Sequence, residues 1–225
     1  MATIYHPGLG QTVGYQLALV PDDADGQVAQ VIEMMASYVR RDVNSPEIQD
    51  DAAQVRLSAA AQGLDLVTAV FRYVKRKLSF IPDEGLAGPF TSLTTPETPV
   101  VEVLIPPAVM SRMCPPGSVC RRLGDCDDWS MYTAALLLAL GIPAKFVTVA
   151  VDGRDPNRFS HVYVAAYVNG DRIPIDTSHG PGPGVEVQNV YRRQEWPVNG
   201  MSLPEMLLWL VPLTYLYQKM RRFAV

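Results

Sequence analysis

The stretch from Gly124 to Val149, GDCDDWSMYTAALLLALGIPAKFVTV, decides the fold. Asp125 stands at a helix N-cap and Asp128 three residues on, an acidic form of the capping box, so a helix is expected to begin at Cys126. It runs to Leu140 and stops at Gly141-Ile142-Pro143. Beyond it the pattern changes to strands, one from Lys145 to Val151 and one from Ser160 to Val168. An Asn169-Gly170 turn and a third strand from Asp171 to Asp176 complete the run. The order is a helix, then antiparallel strands.

The same stretch concentrates the reactive side chains. In the first turn of a helix, unpaired backbone N–H groups and the helix dipole favour a thiolate at Cys126. Asp127 and Asp128 oppose it, because nearby negative charge raises a thiol pKa. A histidine imidazolium is the usual counterweight, and the hairpin supplies one. With Asn169-Gly170 as a type I′ turn, Val168 faces Asp171 and Tyr163 faces Asp176. His161 and Asp176 are then diagonal neighbours, about 7 to 8 Å apart at the backbone, within reach of a carboxylate-imidazole hydrogen bond. A slip of one residue would separate them to opposite faces. Pro174 marks its strand as an edge or a bulge. The predicted site is therefore Cys126 as nucleophile, His161 as general acid and base, and Asp176 holding the imidazole, with Asp171 or Asn169 in that last role if the hairpin is longer. Backbone N–H groups at the helix start, that of Cys126 included, are expected to form part of an oxyanion hole.

The segments GDCDDWSMYTAALLLALGIPAKFVTV, FSHVYVAAYVNG and IPIDTS together resemble the transglutaminase-like superfamily of cysteine enzymes. The resemblance spans about residues 45 to 180 in layout. It implies a papain-like α+β fold with N-terminal helices and a cysteine-bearing helix on an antiparallel sheet that carries histidine and aspartate. By position the family's catalytic residues fall on Cys126, His161 and Asp176. Members include proteases, deamidases, cross-linking enzymes and inactive forms, and some are encoded by tailed phages. The expected function is a cysteine peptidase or amidase that acts on protein or peptide amides through a thioester on Cys126. The alternative is a phage virion protein that uses the fold as a packing module. Some bacterial relatives depend on calcium and carry acidic residues at the cysteine, as Asp125, Asp127 and Asp128 stand here. No regular oxygen-ligand loop accompanies them, so helix capping accounts for them better and no cofactor is expected.

Working outward, residues 1–26 read as an extended arm. A helix is expected over Gln27–Arg41, with Val28, Val31, Ile32, Met35 and Tyr38 at helical spacing. Asn44-Ser45-Pro46-Glu47 starts a second helix. A third follows Gly63, with a stripe of Val67, Phe71, Val74 and Leu78; Arg72, Lys75, Arg76 and Lys77 read as its solvated, dipole-favoured end. Residues 83–99 form a long loop beside the site, and Val100–Ile105 a short strand. The expected organisation is an arm and first helix over 1–42, a transglutaminase-like core over 43–190, and an apolar tail over 191–225 packed on the core or on a partner. Trp129 is expected in the core, and His179 in a solvated loop on the face away from Asp176.

Composition bounds the rest. With 225 residues, 48% of them hydrophobic, the chain can bury a full core. A formal net charge of −4 argues against nucleic-acid binding. Cys114, Cys120 and Cys126 lack the close pair that structural zinc sites use, so no metal is expected and a reducing compartment fits. No signal-peptide pattern opens the chain and no transmembrane segment is expected, since the apolar run Met206–Gln218 is interrupted by Pro212. The expected location is cytoplasmic or virion-associated, with assembly partners reached through the arm and the tail.

Overall fold

A computed structural model describes residues 24–82, 104–113 and 122–199, together with the backbone of 2–6 and 11–15. The expected loop over 83–99, Cys114, Cys120 and the tail beyond Asn199 lie outside the described residues. At the start of the chain, β1 (Ala2–His6) and β2 (Gln11–Tyr15) pair as an antiparallel hairpin where an extended arm was expected.

Three helices follow as the periodicity predicts. Helix α1 (Ala24–Asp42) buries Ile32, Met35 and Tyr38. Helix α2 (Pro46–Gln62) begins at an N-cap in which the Ser45 hydroxyl accepts from the amide of Ile48, with Pro46 just inside the helix. Helix α3 (Leu66–Lys77) is capped by Asp65 and buries Val67, Phe71 and Val74. Its chain continues into β3 (Leu78–Phe80), which pairs in parallel with β4 (Arg122–Gly124). Between them lies α4 (Pro107–Arg112), a short helix where only a strand over Val100–Ile105 was expected. Leu104–Pro106 are irregular, and the rest of that expected strand lies outside the described residues.

The cysteine helix α5 spans Cys126–Ala139. It leads into an antiparallel sheet of β5 (Ala144–Ala150), β6 (His161–Val168), β7 (Asp171–Ile175) and β8 (Arg192–Pro197), in the order β7-β6-β5-β8. The hairpin register is the one the turn demands: Val168 faces Asp171 and Val164 faces Ile175. Asn169 and Gly170 both take positive φ, 54° and 91°, as a type I′ turn requires. Pro174 lies on the edge strand, where its missing N–H costs no ladder bond. Strand β8 falls in the stretch expected to be tail; it pairs with β5 along its whole length. Its charged sequence RRQEWP conceals a strand, because an edge strand shows water one side.

Two cores sandwich the sheet. Ala144, Phe146, Val162, Val164, Ala166 and Ile175 meet residues of all five helices in one core on one face. Val147, Val149, Tyr163 and Ala165 form a smaller cluster on the other, closed by Val187 and Val190. There Arg172 bonds both Glu186 and Glu195, which also accept from Tyr163 and Tyr167 at 2.6 Å each.

The helical layer is tied to α5 through one buried carboxylate. Asp51 of α2 accepts from the hydroxyls of Tyr73, Ser111 and Tyr132, each at 2.5 Å, and from Arg122 at 3.2 Å. Arg122 also donates to Tyr132 and to the Ser111 carbonyl. Burial pushes the Tyr132 hydroxyl well above its ordinary pKa, so it remains a donor. Removing Asp51 would leave Arg122 buried without a counter-charge. Asp51→Asn is expected to lower the unfolding free energy by about 3–5 kcal/mol, with part recovered in Asp51→Asn/Arg122→Met, measured by urea denaturation.

Candidate active site

Cys126 is the first residue of α5, behind the expected cap. Asp125 accepts from the amide of Asp127 at 3.2 Å while Asp128 accepts from the amide of Asp125 at 3.4 Å, which makes the cap reciprocal. Asp128, fully buried, also accepts from the amide of Ile105 at 2.6 Å and so draws the irregular segment before α4 onto the helix start. The amide of Asp128 donates to the Asp127 carboxylate at 2.7 Å. The amides of Asp127 and Asp128 therefore serve the cap, which narrows the expected oxyanion donors at the helix start. Trp129 is a core residue as expected, with Nε1 donating to the Gly124 carbonyl at 2.9 Å.

His161 opens β6, and its Nε2 lies 3.0 Å from Oδ2 of Asp176, the residue that follows β7. Asp176, rather than Asp171 or Asn169, thus meets the ring. Its other oxygen accepts from the amides of Ser178 and His179, at 3.1 and 2.9 Å, and from the Ser178 hydroxyl at 2.9 Å. Burial pushes the Asp176 carboxyl up, but the hydrogen bond and charge of His161, with the donors of His179 and Ser178, outweigh it and hold the group well below the usual carboxylate range. Because Asp176 is ionised, the shared proton sits on Nε2 of His161, which leaves Nδ1 for exchange with another group.

Two polar residues in an otherwise apolar helix set α5 against this pair. The Ser130 hydroxyl lies 2.6 Å from the Cys126 carbonyl and 3.1 Å from the carbonyl of Val162, next to His161. Thr133 meets Thr177, next to Asp176, at 2.9 Å. Three residues apart, Ser130 and Thr133 share one helix face, so α5 is pinned to the strand ends that carry His161 and Asp176. Neither was singled out from the sequence, although hydroxyls at that spacing inside SMYTAALLLA were the available signal.

His179 is an exposed loop residue as expected, but it does not face the expected way. Counting strand parity put His179 on the face away from Asp176; instead the chain turns at Asp176, so parity no longer applies. The His179 ring stands edge-on to His161, with centroids 5.2 Å apart, and to Phe80 at 4.9 Å. Gly180 makes the turn fit: a Cβ there would come within 2.5 Å of the Asp176 carbonyl, which accepts from the Gly180 amide. Burial and the charge of His161 lower the pKa of His179. Lys75 is not a solvated helix end, since its ammonium donates to the Ser178 carbonyl at 3.2 Å and lies 5.8 Å from the Trp129 ring. Arg72 and Arg76 are exposed as expected.

Cys126 and His161 line one cavity of about 260 Å³, with Asp125, Asp127 and Ser160 at the same end. Ligating atoms of Asp125, Asp127 and Asp128 lie within 4.8 Å of one another, as do those of His161, Asp176 and His179. The first group is turned onto backbone amides, with Asp128 using both oxygens. The second is held by the bonds around Asp176.

Residues 110–177, a stretch that contains Cys126, His161 and Asp176, match the core model of the transglutaminase-like superfamily. A solved structure from Cytophaga hutchinsonii, provisionally named a cysteine protease, is 17% identical, with 81% of this chain and 53% of that one covered at a TM-score of 0.37. A TGase structure is also 17% identical, with 69% and 40% covered at 0.36. The chain spans about half the length of the first and less of the second. No curated protein matches it. Among the described residues no helix is long and apolar enough to cross a membrane.

The depressed pKa of Asp176 fixes a pH dependence. A carboxylate lowered by folding stabilises the native state fully above its unfolded pKa of about 4, and that contribution is lost as pH falls toward the folded value. Asp176→Asn is expected to cost about 1–3 kcal/mol at pH 7 and progressively less at pH 4 and pH 3, read from urea unfolding of both proteins at each pH.

Proposed function

We propose that this protein is a cysteine-dependent acyl-transfer enzyme, most simply a peptidase or amidase acting on protein or peptide amides. The observation that carries the reading is the His161–Asp176 pair at 3.0 Å opening on the same cavity as Cys126 at a helix N-terminus. Nδ1 of His161 takes the proton of the Cys126 thiol, and Asp176 stabilises the imidazolium that results. The helix dipole assists the thiolate, while Asp127 and Asp128 oppose it, so the ion pair with His161 supplies the balance.

The thiolate attacks the carbonyl carbon of a bound amide to give a tetrahedral oxyanion. As that intermediate collapses, the C–N bond breaks and His161 donates its proton to the departing amine, which leaves a thioester on Cys126. His161 then takes a proton from water, the hydroxide adds to the thioester, and the C–S bond breaks to release the acid and the thiol. An amine in place of water would make the same centre a cross-linking enzyme.

Two measurements test this. Iodoacetamide at pH 6 is expected to alkylate Cys126 at least tenfold faster than Cys114 or Cys120, by peptide mass mapping. His161→Ala and Asp176→Asn should each shift the alkylation profile to higher pH. Hydrolysis of a peptide library should vanish in Cys126→Ala. Equal reactivity of the three thiols, with hydrolysis retained in Cys126→Ala, would sink the reading.

A further inference from the structure

The cavity beside Cys126 extends well beyond the reacting atoms, and its far wall belongs to α1, a helix to which the sequence assigned no chemistry. We propose that this wall takes an uncharged aliphatic or aromatic side chain of the substrate, flanking the amide that Cys126 attacks; the proposal rests on the acyl-transfer reading above.

Val28, Val31, Ile32 and Met35 fall at i, i+3, i+4 and i+7, so they form one stripe of α1, and all four line the cavity that Cys126 and His161 share. Ile32 and Met35 are buried, while Val28 and Val31 are half-exposed above them. The stripe is therefore a floor already backed by the core, with an open apolar surface in front of it.

Charge and size narrow the ligand. The charged or titratable residues at the cavity are Asp125, Asp127 and His161 at the thiol end, the first two engaged in the helix cap, and Arg158, exposed at the rim. Along the α1 stripe no charged group is present among the described residues, so an ionic side chain would lose its hydration there without a partner. About 260 Å³ lies below the range of drug-sized ligand pockets and suits one or two side chains.

The width of the cleft is held by a clamp at its rim. Arg192 of β8 bonds both carboxylate oxygens of Asp25, at 2.7 and 2.9 Å, and the carbonyl of Asn157 at 3.1 Å. Its guanidinium also stacks over Phe159 at 4.4 Å. The first turn of α1 is thus tied to the loop that forms the opposite wall, and a cleft held open before binding loses less entropy when it is filled.

The test uses N-isobutyl, N-benzyl and N-(2-hydroxyethyl) chloroacetamide, which alkylate the same thiol and differ only in the appended group. Each rate at Cys126, followed by peptide mass mapping, is divided by the rate toward glutathione. The isobutyl and benzyl reagents are expected to react at least tenfold faster than the hydroxyethyl reagent. Val31→Asp should cut that ratio at least fivefold, and Val28→Asn should move it the same way, with circular dichroism confirming that α1 is retained. Equal normalised rates, or a ratio unmoved by both variants, would overturn the proposal. The ratio is read even from a slow thiol, so an unactivated Cys126 at pH 6 would sink the acyl-transfer reading while leaving the cleft's preference measured.

Discussion

Asp51 and Arg122 form a buried ion pair on which the helical layer depends. A carboxylate and a guanidinium removed from water are costly, and they persist together because each has further partners. Asp51 gathers hydroxyls from α3, α4 and α5, and Arg122 reaches α5 and the backbone of α4. Apolar packing alone would tolerate several settings of α2, α3 and α4 around the central helix. Hydrogen bonds of fixed length and direction select one, and with it the position of the N-terminus of α5.

That selection matters because α5 is the axis of the candidate site. One end of the helix carries Cys126, and one face carries Ser130 and Thr133, which reach the chain beside His161 and beside Asp176. The sheet supplies the histidine and the aspartate from neighbouring strands, and the turn after β7 is shaped by the donors that Asp176 itself collects. Lys75 adds a hold on that turn from α3. The reacting groups therefore come from three elements, each secured by hydrogen bonds to the others, so the site is built into the packing of helix on sheet.

The electrostatics are divided along the same axis. Negative charge at Asp125, Asp127 and Asp128 secures the helix start but works against a thiolate at Cys126, while the imidazole and the helix dipole work for it. The buried Asp176 carboxylate is kept ionised by the donors around it. The carboxylates of the cap are engaged with backbone amides, and that of Asp176 with His161.

Local chemistry was sufficient to read much of this from the residues. Ser45-Pro46 and Asp125 with Asp128 announce helix starts, Asn169-Gly170 dictates a turn whose twist suits a hairpin, and that turn alone sets the register that brings His161 to Asp176. Other features depended on partners remote in sequence. β8 is a charged hexapeptide that becomes a strand only because β5 offers an open edge. Lys75 leaves solvent because Ser178 presents a carbonyl to it, and His179 swings to His161 because Asp176 ends the strand by capturing backbone amides. The apolar stripe of α1 was visible as a helical period, yet a period states only that one face is buried. Whether that face meets the core throughout or also walls a cavity at Cys126 was decided by the tertiary structure, because that depends on which distant segments pack against it, and Val28, Val31, Ile32 and Met35 line the cavity that Cys126 shares.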